Sequence, residues 1–186
     1  MARHKNKLKI TKFIHISLKQ ELSMQLPKVK FIEPIEEKSF YLRGLWKRPY
    51  FDLWSKKYGK KTPFAIWEVE IKQSWARNNI LKVERILNWH WKPKIAFFHV
   101  FSPALYRITK EGCKKEAKRL MKKYKSRFVY NQIEIKIPKV RFNKITENFE
   151  NNIYYAKRYY GKELEKETKR IARESVNILK RISFCQ

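Results

Sequence analysis

One aspartate stands among the 17 acidic residues of this 186-residue chain, at position 52 within PYFDLWS, residues 49–55. A chain that otherwise uses glutamate and places a single shorter carboxylate points to a geometric demand there. The segment FAIWEVEIK, residues 64–72, sets Glu68, Glu70 and Lys72 against Ile66, Trp67, Val69 and Ile71. In an extended strand alternate side chains share a face, so Glu68, Glu70 and Lys72 point the same way. Converging carboxylates repel, and a hard divalent cation offsets that repulsion. Mg²⁺ takes one or two carboxylates together with waters and phosphate oxygens, and Mn²⁺ can stand in for it. Such an ion activates water and neutralises charge on a scissile phosphate. The candidate ligands are Asp52, Glu70 and Glu68, and which glutamate is the main ligand stays open. Lys72 can steer the water or stabilise developing charge, and Gln73 follows where a polar group can touch the phosphate. The alternative is a surface ion-pair ladder on a half-exposed sheet.

These residues need a hairpin to meet. Residues 56–63, KKYGKKTP, carry Gly59 and Pro63 and read as its loop. Setting Tyr58 opposite Phe64 places Asp52 across from Glu70, with Cβ atoms roughly 5 Å apart, and a slip in register would separate them. Ile14, Leu18, Leu22 and Leu26 step by four, which predicts a helix ended by Pro27, after a mobile basic start. Residues 29–35 and 39–42 read as strand or irregular pieces. Ala76, Ile80, Val83 and Leu87 predict a helix over 75–89. The apolar run 94–101 predicts a strand covered on both faces. A helix follows over 105–125 with Leu105, Ile108, Ala117, Leu120 and Tyr124 inward, then a strand over 128–137. The stripe from Phe149 to Ile182 predicts one long helix, bent at Gly161. Together these give an α/β fold: a mixed sheet flanked by helices with a long C-terminal helix. Residues 1–145 form the core. Residues 146–186 pack on that core or on a second copy, which makes a homodimer the expectation.

The net charge is +28, from 45 Lys and Arg against 17 Asp and Glu. With 43% hydrophobic residues the chain can fill a core, so it is not a disordered basic tail. Such a surplus repels itself, and a polyanion relieves it; nucleic acid is the expected partner and an anionic membrane surface the competitor. No run reaches the ~18 apolar residues of a membrane span. The start of the chain is charged rather than apolar, and Cys113 and Cys185 have no metal-ligand spacing, which suits reduced thiols in the cytoplasm. Abundant Lys, Glu, Ile and Tyr with few Gly suit a thermophile or an AT-rich genome. The expected phosphate contacts are Lys56, Lys57, Lys60 and Lys61 in the loop beside the site, with Arg77. A second group, Lys114, Lys115, Lys118, Arg119, Lys122 and Lys123, lies on the helix over 105–125, where 107–127 holds ten cations. Lys82, off the buried stripe of 75–89, is a further backbone contact. His99 reads as a core histidine. Glu134-Ile135-Lys136 repeats the Glu-x-Lys spacing, but no aspartate hairpin precedes it and it reads as a solvated strand face.

Asp52 in YFDLW, followed by Glu70-Ile71-Lys72 in an apolar strand, then a helix and a second apolar strand, resembles the PD-(D/E)xK nuclease superfamily. Restriction enzymes, Holliday-junction resolvases and archaeal virus nucleases belong to it. The resemblance covers about residues 14–102. It implies a restriction-endonuclease-like core of helix, three strands, helix and strand. It also implies DNA phosphodiester hydrolysis, with Asp52 and Glu70 on the metal and Lys72 in catalysis. Phe51 stands where the family pattern has proline. The rival expectations are a non-catalytic basic DNA-binding protein of the same fold and a structural ribonucleoprotein component.

Overall fold

The structure, a computed structural model, describes residues 9–36, 50–59, 65–72, 76–88 and 92–182. Helix α1 (Lys9–Gln25) leads through a 3₁₀ turn at Leu26–Val29 to β1 (Ile35–Glu36), β2 (Leu53–Ser55) and β3 (Ala65–Glu70). Helix α2 (Ala76–Leu87), β4 (Ile95–Phe101), α3 (Arg107–Tyr124) and β5 (Phe128–Glu134) follow, and α4 (Lys139–Asn151) and α5 (Ile153–Arg181) end the fold. The five strands lie in chain order in one sheet. β1, β2 and β3 are antiparallel neighbours; β3, β4 and β5 run parallel. The fold is therefore α/β, a mixed sheet flanked by helices with a long C-terminal helix, as expected.

Both faces of the sheet are covered, by two separate cores. Ala65, Trp67, Val69 and Ile71 point with Ala96, Phe98 and Val100 into a core closed by α1, α4 and α5. Ile66, with Ile95, Phe97 and Phe101, faces α2 and α3. The Trp67 indole donates to Ser175 Oγ at 3.1 Å, which ties β3 to α5. The alternation in FAIWEVEIK therefore does not mark a solvated face: all six residues of β3 are buried.

Four expectations are corrected. The register of the β2–β3 pair is Leu53↔Trp67, Trp54↔Ile66 and Ser55↔Ala65, which sets Asp52 across from Glu68 rather than Glu70. The cause lies outside the hairpin. Residues 56–58 are drawn onto 30–32, through Ile32 N–H to Lys56 O, Tyr58 N–H to Lys30 O and the Phe31–Lys57 bridge. The C-terminal stripe is two helices rather than one. The break is at Asn152, whose side chain caps α5 by accepting from Tyr155 N–H at 3.1 Å. Gly161 lies inside α5, close to the ring of Phe13. The boundary expected at 145/146 falls within α4, which packs in the same core as α5. Ile108, expected inward, is 83% exposed because the buried stripe of α3 begins at Cys113.

The stripe of α5 is covered by its own chain: Ala156, Tyr160, Leu164, Ile171 and Leu179 join the core that contains α1. Residues 39–42, Lys60, Lys61, Gln73 and Cys185 lie outside the described residues. No helix among the described residues is long and apolar enough to cross a membrane.

Candidate active site

Asp52 sits one residue before β2, 9% exposed. Its Oδ2 accepts from Val69 N–H at 2.8 Å and lies 3.0 Å from His15 Nε2, on α1. The carboxylate thus takes a backbone N–H of β3 just where the β2 ladder stops. Glu68 shares a hydrogen bond with Asp52, and its Oε1 lies 3.7 Å from Lys82 Nζ. Burial pushes the Glu68 carboxyl well above its usual range; Asp52 and Glu70 raise it further, and Lys82 opposes them. A hydrogen bond between two carboxyl groups needs a proton on one of them, and Glu68 holds it.

Glu70, 1% exposed, is held from two elements. Asn79 Nδ2, on α2, donates to Glu70 Oε1, and His99 Nε2, on β4, lies 3.4 Å from that same oxygen. Tyr130 on β5 approaches His99 Nδ1 at 3.3 Å. Burial drives the Tyr130 phenol upward and His99 downward, so the phenol keeps its proton and the imidazole is neutral. Tyr130 then donates to Nδ1, and Nε2–H donates to Glu70 Oε1. The nearby Cys113 thiol is pushed up to about 12 by burial, with Glu70 adding to it, and stays protonated.

Two carboxylate oxygens remain buried without a hydrogen bond among the described residues: Glu68 Oε1 and Glu70 Oε2. Buried orphan acceptors of this kind are costly and call for an ion or water. No group of three or more His, Cys, Asp or Glu among the described residues is placed to hold a metal ion by itself. The donor set instead fits a hard cation that takes one or two carboxylates and fills its other positions with water or phosphate.

The structure thus brings Asp52, Glu68 and Glu70 together. Lys72 lies past the end of β3, exposed, on a cleft formed with Tyr106 and Lys139. The lysine at the carboxylates is Lys82, which also donates to Tyr50 O at 3.2 Å and sits 5.8 Å from the centre of the Phe51 ring. Sequence reading placed Lys82 only on the outer surface and passed over Asn79. Asn79 lay within reach, because it flanks the 76/80/83/87 stripe, where a polar residue is out of place, whereas Lys82 lies off that stripe and only the fold brings it to Glu68. His99 is a core histidine as expected, but its ring partner is the Glu70 carboxylate.

Of the expected phosphate contacts, Lys114, Lys115, Lys118, Arg119, Lys122 and Lys123 are all exposed on α3. Arg119 pairs with Glu84 and Glu116, and Lys123 with Glu84 at 2.9 Å, so these two clamp α3 to α2. Arg77 is committed to Glu116 at 3.1 Å. Lys114, Lys115, Lys118 and Lys122 form no ion pair among the described residues. Lys56 and Lys57 are half-buried. Glu134 is exposed and paired with Lys110 at 3.2 Å, as a solvated strand face should be. In comparisons with known proteins, no family model, no curated protein and no solved structure matches this chain.

Proposed function

We propose that this chain is a Mg²⁺- or Mn²⁺-dependent nuclease that hydrolyses DNA phosphodiester bonds, with a restriction-endonuclease-like core of the PD-(D/E)xK type. The observation that carries the reading is the buried meeting of Asp52, Glu68 and Glu70, with two carboxylate oxygens unbonded, in a chain of net charge +28. Helix, three strands, helix and strand, α1 through β4, is also the element order that the resemblance implies.

One or two of Asp52, Glu68 and Glu70 would hold the cation, with Glu70 Oε2 as the best-prepared donor and water or phosphate in the remaining positions. When bound, the ion supplies positive charge against the scissile phosphate and acidifies water. Asn79 and His99 fix the Glu70 carboxylate by both bonding Oε1, which leaves Oε2 without a partner and able to take a cation. Lys82, rather than the more distant Lys72, is placed to balance charge at the carboxylates and to meet a phosphate oxygen. Lys72 is a backbone contact. The free cations of α3 hold the polyanion in a way that is blind to sequence.

A non-catalytic DNA-binding protein of the same fold is the second reading. It is favoured by the near-complete burial of Glu68 and Glu70, 5% and 1% exposed. Circular and single-stranded DNA incubated with Mg²⁺, Mn²⁺ or EDTA decides between them. Degradation that needs the ion and disappears in Glu70→Gln supports the nuclease. Tight binding with no cleavage under any ion supports the second reading.

A further inference from the structure

Because β3, β4 and β5 run parallel, their carboxyl ends, Glu70, Phe101 and Glu134, lie along one edge of the sheet. The crevice outside such ends is where parallel sheets hold ligands. Here the edge opens into a cleft of about 680 Å³ that includes Lys72, Tyr106 and Lys139, with Glu147 and Glu150 of α4 at its far side, the latter engaged by Lys9. A second hollow, of about 560 Å³, shares Tyr106 and Lys139 and adds Lys114. The connection that forms their common wall is fastened to β3, since Ser102 N–H donates to Glu70 O at 2.9 Å. The hollows therefore lie beyond the carboxyl ends of the strands, against the starts of α3 and α4.

Two properties coincide on this edge. Tyr106, Ile108 and Val140, in or just before the first turns of α3 and α4, are 76%, 83% and 84% exposed, which is far outside what core packing explains. Lys72, Lys114 and Lys139 form no ion pair among the described residues, whereas Arg107 and Lys110 are matched by Glu111 and Glu134. The outside of a duplex offers phosphates and no apolar faces. An unpaired strand offers both, a base to stack and phosphates on either side of it.

We propose that this edge is a docking surface for unpaired nucleic acid, with a base stacked on Tyr106 and the flanking phosphates on Lys72, Lys114 and Lys139. The inference rests on the reading of the chain as a nuclease and names its substrate class: single-stranded, flapped or branched DNA rather than uninterrupted duplex. An anionic bilayer also joins charge to apolar contact, but a concave surface suits a strand rather than a flat bilayer.

The test is anisotropy of the full chain in EDTA, with a labelled single-stranded oligonucleotide and with the same sequence as a blunt duplex. The single strand should bind more tightly. Tyr106→Ala should weaken it by about 5- to 100-fold while barely changing duplex binding. Tyr106→Phe should behave as the native chain. So should Tyr159→Ala, a 57% exposed tyrosine on α5 that lines neither hollow. Equal affinity for both DNA forms with no effect of Tyr106→Ala overturns the proposal. So does a Tyr106-dependent loss of binding to phosphatidylserine vesicles with oligonucleotide binding intact. No metal is needed, so absence of cleavage in Mg²⁺ alongside a positive binding result removes the nuclease reading alone.

Discussion

His99 Nε2 lies 3.4 Å from Glu70 Oε1, with the two side chains 0% and 1% exposed. Asn79 donates to the same oxygen, so the carboxylate is held by one atom and presents the other. Partners that orient a ligand in this way are typically worth 10- to 100-fold in metal affinity or activity. His99→Ala should lower Mn²⁺ affinity by about that range, and His99→Gln, which keeps a donor, should recover part of it. Tyr130→Phe should have a smaller effect, because it frees the tautomer without removing the ring. Calorimetric titration with Mn²⁺ measures this; unchanged affinity in all three would make His99 a packing residue.

The proton held between Asp52 and Glu68 gives a pH signature. Burial and Asp52 raise Glu68 above its ordinary value of 4.5, so the folded chain binds a proton that the unfolded chain releases. Its contribution to stability is full below pH 4.5 and is lost as pH rises through the folded value. His99 runs the other way: depressed from 6.5 by burial, it contributes above 6.5 and loses that contribution as pH falls through its folded value. In EDTA, the native chain should lose melting temperature as pH rises through the folded Glu68 value, and Glu68→Gln should lack that decline. The gain in melting temperature from Mg²⁺ should grow between about pH 5 and pH 8, since the ion displaces the proton. A gain independent of pH would place the ion elsewhere.

Asp52 serves β3 as well as Glu68, through Val69 N–H. Asp52→Asn keeps an acceptor for that bond and should fold with little loss, yet lose ion-dependent cleavage. Asp52→Glu keeps the charge but displaces it by over an ångström, and displacement on that scale can cost ~10²-fold in rate. It should also weaken the Val69 bond, about 1 kcal/mol. Cleavage rates and melting temperatures of both variants separate these effects. Native activity in Asp52→Glu would make the lone aspartate an accident of composition.

The two lysines should divide their effects. Lys82→Ala should cut cleavage by ~10² or more with DNA affinity nearly retained, as expected for a group that meets transition-state charge. Lys72→Ala should chiefly weaken binding. Glu134→Gln, in the second Glu-x-Lys, should do nothing comparable. Loss of cleavage from Lys72→Ala with Lys82→Ala intact would restore the assignment read from the strand motif.

Salt tests the electrostatic part alone. Neutralisation of about six to ten phosphates should reduce DNA affinity by ~10³ or more between 50 and 200 mM salt. Filter binding across that range measures it, and a nearly flat response would remove the polyanion as the partner.

The shared face of Glu68 and Glu70 was legible in sequence because strand parity is a local rule. Their opposite number was not, since the register depends on residues 56–58 pairing with 30–32, an interaction between distant segments. Burial of that face was hidden too: charged residues at 68 and 70 suggest solvent, and only the arrival of α2 shows otherwise. Helix α4 was hidden because Phe142, Ile145 and Phe149 run straight into the stripe of α5, with the single residue Asn152 between the helices. The stripe itself was read correctly, and of its two expected coverings, its own domain or a second copy, the first is seen, with α1 against it.

The contact between α1 and α5 has a consequence during synthesis. Ile10, Ile14, Leu18 and Leu22 are covered in the core that α5 closes, yet α5 leaves the ribosome after every other described helix. At roughly 5–20 residues per second, the wait between completing α1 and beginning α5 is on the order of ten seconds. For that interval the nascent chain carries a sticky amphipathic helix with nothing to lie against, beside a long positive stretch and, on the ribosome, a surface of RNA. Early release by a stop codon before residue 153 should therefore leave aggregated rather than shortened, working protein. The core is therefore completed only when the two ends of the described fold meet.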